Sequence, residues 1–227
     1  MASGNDTIKV WDPLVRIGHW TLVAAFFIAY FTEEDLLTQH VWAGYTVAGV
    51  VLFRVLWGFI GTENARFKNF VRSPGPTLRY LVDIARNRAK RYIGHNPAGG
   101  AMIVALIASL AVTTYSGLEI YAIEENAGPL AGFYAQSDLR ESGFELVGTA
   151  YASEDDDSDD DEEHSDRDNE HESAEEFWEE VHEASANFTL FLVLMHVAGV
   201  LLASFTHREN LIKAMFTGRK HSPSDQG

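Results

Sequence analysis

The sequence predicts an all-α fold, an integral membrane four-helix bundle with both termini cytoplasmic. Three observations predict it: four apolar runs long enough to cross a bilayer, histidines inside three of them, and basic residues gathered in alternate connections. The chain-wide figures hide this, because 227 residues with 46% hydrophobic content and a net charge of −16 describe an ordinary soluble protein. The acid is concentrated. Eighteen of the 33 Asp and Glu lie in Glu154–Glu183, where Arg167 is the lone basic residue, and the remainder of the chain is nearly neutral. A charge of that sign argues against nucleic acid as a partner.

A hydrocarbon core of roughly 30 Å needs about 20 apolar residues in a helix. The first candidate is Leu14–Phe31, preceded by a short polar stretch, Met1–Asp12, that lacks the layout of a cleavable signal peptide. The second is His40–Ile60, the third Ala98–Ile123 and the fourth about Val181–Phe205. The first, second and fourth carry histidine and the second also carries Arg54, whereas the third has neither histidine nor arginine.

Orientation follows from the loops, because cytoplasmic loops retain Lys and Arg. Eight basic residues from Arg66 to Arg91 join spans two and three, and the tail carries Arg208, Lys213, Arg219 and Lys220, so both are expected inside. The link TEEDLLTQ between spans one and two has no basic residue, and the long link between three and four has only Arg140 and Arg167, so both are expected outside. The chain then divides into 1–123, holding three spans and the cytoplasmic link, 124–176, an acidic extracytoplasmic loop expected to be disordered, and 177–227, the fourth span with its tail.

Within the cytoplasmic link, residues 74–92 place Leu78, Leu81, Val82, Ala85 and Tyr92 at helical spacing with arginines between them. This pattern predicts an amphipathic helix lying against membrane lipid. Asn96 followed by Pro97 has the form of an N-cap and first helical position for span three. The outer loop from Glu124 to about Ser173 is rich in Gly, Ser and acid, and its run EDDDSDDDEEHSDRDNEHE reads as a solvated, disordered tract.

An ionisable side chain inside a span is costly and marks a functional site by default. For a single histidine the plainer account is an interfacial position or a hydrogen bond between helices. The set of four says more. His182 and His196 are 14 residues apart on span four, which returns them to within ~40° of one face and separates them by about 21 Å along the axis. Span one enters from inside and puts His19 at the inner level, while span two enters from outside and puts His40 at the outer level. His19 therefore pairs with His196, and His40 with His182.

Paired imidazoles suit two non-covalent haem b groups, since iron with both axial positions filled changes redox state with little rearrangement. Zinc or copper is the competing chemistry, but two neutral nitrogens underfill a four-coordinate site. The chain has no cysteine, which excludes disulfides, iron–sulfur ligation and covalent haem attachment. Gly18, Gly44, Gly49 and Gly199 lie near the histidines, where they either admit a flat macrocycle or serve simple helix contacts. Arg54 and Arg16, at the inner level, are read either as partners of a haem propionate or as snorkelling side chains. His95, His207 and His221 fall in caps and tails, and His164 and His171 belong to the solvated acidic run.

The stretches VWDPLVRIGHW, HVWAGYTVAGVVLFRVLWGFIGTENARF, RYIGHNPAGGAMIV, WEEVHEASANFTLFLVLMHVAGV and HRENLIKAMFTGRK together resemble the bacterial cytochrome b561 family, which includes the cytochrome b subunits of membrane-bound nickel–iron hydrogenases. The resemblance covers most of the chain outside Glu124–Glu176. It implies a four-helix bundle in a bacterial inner (cytoplasmic) membrane, with two b haems ligated at His19, His40, His182 and His196. It also implies electron exchange between the quinone/quinol pool and an extracytoplasmic redox protein, such as a c-type cytochrome. Alternatives within the family are a membrane anchor for a larger redox enzyme such as a hydrogenase, or quinone-linked oxidation of a small species such as superoxide. The acidic insert departs from the family pattern. It either attracts a basic c-type cytochrome or adapts the protein to a saline exterior.

Overall fold

A computed structural model describes residues 7–32, 36–86, 88, 92, 96–134, 160–206 and 210–221. Helix α1 spans Pro13–Phe31, α2 Leu37–Ile60, α3 Phe67–Phe70, α4 Pro74–Ala85, α5 Pro97–Glu124, α6 Asp160–Thr206 and α7 Leu211–Thr217. Four helices, α1, α2, α5 and the Glu172–Thr206 part of α6, are long and apolar enough to cross a membrane, as the sequence predicts. To this all-helical frame the described residues add one antiparallel ribbon, β1 (Thr7–Lys9) with β2 (Arg219–His221), in which Thr7 faces His221 and Lys9 faces Arg219.

The chain forms two compact units, one of Met1–Ala111 with Ala186–Gly227 and one of Val112–Ser185. The core of the first unit draws on all four spans. Ala25 and Phe26 of α1, Val47 and Val51 of α2 and Leu110 of α5 are buried together, with Leu190 and Val193 of α6 against them. Each helix contributes residues three or four apart, which is the spacing that returns to one face. The opposite faces are apolar as well: Ile17, Trp42, Leu56, Leu194 and Phe205 are all exposed. A helix apolar on every side belongs in hydrocarbon or in a protein interior. Polar contacts tie the helices, with Ser109 and Thr189 buried and their hydroxyls 2.7 Å apart, and Tyr30 Oη donating to Asn187 Oδ1 at 3.1 Å.

The helix starts follow the local sequence. Asp12 accepts a hydrogen bond from Leu14 N at 2.8 Å with Pro13 at the first position, and Asn96 Oδ1 accepts from Gly99 N at 2.7 Å ahead of span three, the cap expected there. Pairing of β1 with β2 brings the two described ends of the chain to one end of the unit. Val10 N donates to Gly218 O at 2.9 Å, and Trp20 stacks on Phe216 with ring centroids 4.2 Å apart.

The amphipathic helix is present as α4, shorter than the expected 74–92; its described end is Ala85, and residues 87 and 89–91 lie outside the described residues. Leu78, Leu81 and Val82 are exposed, as a lipid-facing stripe requires. Tyr80 on the other face is buried and meets Tyr92 edge-on, with centroids 5.6 Å apart.

The fourth span corrects an expectation. Its helix begins at Asp160, so the latter part of the tract read as disordered is helical, and 135–159 lie outside the described residues. The physical reason is continuity: an anchored helix supplies the nucleus that an isolated segment lacks, and acidic residues at a helix N-terminus complement its dipole.

Candidate functional site

In the first unit, His19 on α1 and His196 on α6 come within electrostatic range of each other. Both are partly buried, and His19 Nδ1 is a buried nitrogen with no hydrogen-bond partner among the described residues. The ring of His19 meets the indole of Trp20 edge-on at 5.1 Å.

His40, also in the first unit, is held differently. Its Nδ1 lies 2.9 Å from the carbonyl oxygen of Ala29, across the α1–α2 turn. A carbonyl only accepts, so this bond places the ring proton on Nδ1 and leaves the lone pair on Nε2, the nitrogen that would ligate a metal.

His182 belongs to the second unit and repeats the arrangement. Its Nδ1 lies 2.9 Å from Thr113 O and 3.2 Å from Ser116 Oγ, both on α5. Ser116 is fully buried and also donates toward Val112 O and Thr113 O, each at 3.0 Å. Gly117 permits the approach, because a Cβ there would lie 2.9 Å from His182 Cε1. The third span, which has neither histidine nor arginine, thus orients a histidine of the fourth. Sequence reasoning missed Thr113, Ser116 and Gly117, since small and hydroxyl residues are common in spans and only their partner reveals the role.

The spans also hold a carboxylate that sequence reasoning passed over. Glu119 on α5 is 7% exposed, and its Oε2 accepts a hydrogen bond from Tyr134 Oη at 2.6 Å. Burial first, and then the bond and charge of Glu119, push the Tyr134 phenol up to about 12, so it remains a donor throughout the physiological range.

The two arginines separate. Arg54 lies with its guanidinium carbon 5.0 Å from the Phe67 ring centroid and 5.8 Å from that of Phe70, and its Nη1 is buried without a hydrogen-bond partner among the described residues. A donor so placed suits a carboxylate such as a propionate. Arg16 is engaged elsewhere, with Nε donating to Met215 O at 3.1 Å and Nη2 to Phe216 O, which caps the end of α7. A Cβ at Gly44 would meet nothing within 4 Å, so there is room beside His40, as there is at Gly49 and Gly199. Trp20 Nε1 and Trp57 Nε1 are further buried nitrogens without a partner among the described residues, and an indole N–H inside a span calls for an acceptor.

These residues fit non-covalent haem b: two imidazoles of fixed tautomer, a buried guanidinium N–H with no partner among the described residues, and space beside the histidine-bearing helices. His95 and His207 lie outside the described residues, and of His164, His171 and His221 only the backbone is described.

No solved structure matches the chain. Among curated proteins it is 26% identical over 150 residues to a probable Ni/Fe-hydrogenase B-type cytochrome subunit of Bradyrhizobium diazoefficiens, covering 53% of this chain and 60% of that one. It is 24% identical over 147 residues to a protein of the same description from Azotobacter vinelandii, covering 52% and 61%. The match thus spans about three fifths of these relatives. The family model of the prokaryotic cytochrome b561 matches residues 10–218, nearly the whole of the chain that carries the histidines. The chain belongs to the prokaryotic cytochrome b561 family.

Proposed function

We propose that the protein is a transmembrane di-haem b-type cytochrome that passes electrons between the quinone/quinol pool and an extracytoplasmic redox protein, in a bacterial inner membrane with both termini cytoplasmic. When bound, two haem b groups supply one-electron chemistry at two depths. His19 and His196 hold the inner iron, and His40 and His182 the outer one. The observation that carries the reading is the treatment of the histidines. His19 and His196 converge in one unit, while His40 and His182 each have Nδ1 turned onto a span carbonyl. Structural histidines at an interface need no such control of tautomer; axial ligands do.

Arg54 is positioned for a propionate of the inner haem, and Gly44 leaves room for the outer one. Arg16 acts on α7 instead. The exposed acid of the outer helix segment, with Glu172, Glu176, Glu179, Glu180 and Glu183 all exposed, suits a basic partner such as a c-type cytochrome, with an association rate that falls as salt rises.

The description of both curated relatives as hydrogenase cytochrome subunits favours a second reading, that the chain anchors a larger redox enzyme such as a hydrogenase to the membrane. A stoichiometric large partner retained through purification in mild detergent supports the anchor. Quinol-analogue turnover by the purified chain alone supports the independent cytochrome. For both, the first test is a reduced-minus-oxidised spectrum with a haem-to-protein ratio. Two haems per chain are expected; none, or one, overturns the two-site arrangement.

A further inference from the structure

Glu119 stands apart from the other described acidic side chains of the second unit. Glu124, Glu175 and Glu179 bring their carboxylates together at partly or fully exposed positions, where water and ions screen them. Glu119 is 7% exposed and lies within a membrane-crossing helix, so its charge is screened by neither. It is nonetheless provided with a donor. The chain turns back after α5 through Asn126 and Gly128, both at positive φ, and the helical turn at 131–134 delivers Tyr134 Oη to Glu119 Oε2. Tyr115, one turn earlier on α5, interacts with the same carboxylate. A hydrogen bond donated to a carboxylate favours its ionised form.

The same helix carries the groups that hold His182. Ser116, whose Oγ is 3.2 Å from His182 Nδ1, precedes Glu119 by a single helical turn. The groups that orient the His182 imidazole and a buried carboxylate are therefore fixed to one rigid element. A fixed negative charge near a redox centre stabilises its more positive, oxidised form in proportion to how little water lies between them.

We propose that Glu119 is an internal counter-anion that lowers the reduction potential of the haem ligated by His182, with Tyr134 as the positioning residue that holds its carboxylate in place. The inference rests on the assignment of His182 as an iron ligand. Glu119 touches neither iron nor substrate; it acts through charge. It sets the outer site more reducing than it would otherwise be and so separates the two potentials along the relay.

The test is a potentiometric titration of the purified holoprotein, followed by visible spectroscopy. E119Q is expected to raise the midpoint potential of one haem and leave the other unchanged, while E119D, which keeps the charge, stays close to the parent. Y134F is expected to move the same haem in the same upward direction by less. An unmoved potential in E119Q, equal movement of both haems, or an E119D shift as large as that of E119Q overturns the proposal. Should E119Q fail to accumulate with haem, Y134F decides alone, an unmoved potential overturning the proposal and an upward shift of one haem supporting it. The underlying assignment has its own readout, haem stoichiometry: His182→Ala must lose one haem of two, and its failure to do so removes the ligand rather than the charge.

Discussion

An imidazole has two nitrogens, and what matters for ligation is which of them the protein leaves with a lone pair. At His40 and His182 the structure fixes that choice through a carbonyl oxygen 2.9 Å from Nδ1. Replacement of His19 or His196 by Ala is expected to remove one haem and keep the other, and replacement of His40 or His182 to do the reverse. Spectra of the four variants, sorted by haem-to-protein ratio and by which midpoint is lost, check this; four variants that cannot be sorted into two pairs would contradict it. Gly117→Ala makes a sharper test of the support. The added methyl must displace either the His182 ring or α5, since it would sit 2.9 Å from Cε1. One haem is expected to show a broadened or lowered absorption band, while the inner pair is unaffected. The four histidines were legible in the sequence because histidine is rare and expensive inside a span. Thr113, Ser116 and Gly117 were not, because each is an ordinary span residue whose role exists only relative to a neighbour on another helix. Glu119 was legible in principle as the single carboxylate of span three, near its C-terminal end, but its meaning depends on Tyr134, which returns to it only by a turn.

Helices read from the sequence with uneven success, for a physical reason. Spans one to three were bounded closely by hydropathy and caps: Asn96 and Pro97 open α5 where expected. The fourth was misjudged at its outer end, since composition reports the solubility of an acidic run and not whether a neighbouring helix propagates into it. Only one face of α4 could be read in advance. Its apolar stripe is at Leu78, Leu81 and Val82, yet the residue buried against the protein is Tyr80, from the face that composition marks as polar. Between α5 and α6 the buried Ser109–Thr189 contact replaces hydrophobic attraction, which does not operate between helices in lipid. Thr189→Val removes this bond while conserving volume, and is expected to lower stability by about 1 kcal/mol. A thermal-unfolding comparison in detergent checks it, and an unchanged transition would show that packing alone holds the pair.

For the molecule as a whole, topology is the property on which electron flow depends, and the chain is well suited to measuring it because it contains no cysteine. Single cysteines introduced as Lys68→Cys and Glu125→Cys are expected to label from opposite sides: the first only after the cells are opened, the second in intact cells with an impermeant maleimide. The reverse pattern would invert the protein and exchange the inner and outer sites. The ribbon of β1 with β2 bears on the same architecture at a different time. Its two strands come from opposite ends of the described chain, and Arg16 reaches Met215 O across 199 residues. Neither contact can form until the fourth apolar helix is in place and the segment after it has come back to β1. Closure of the ribbon therefore comes after insertion of the fourth apolar helix, as a latch between the two ends of the described chain.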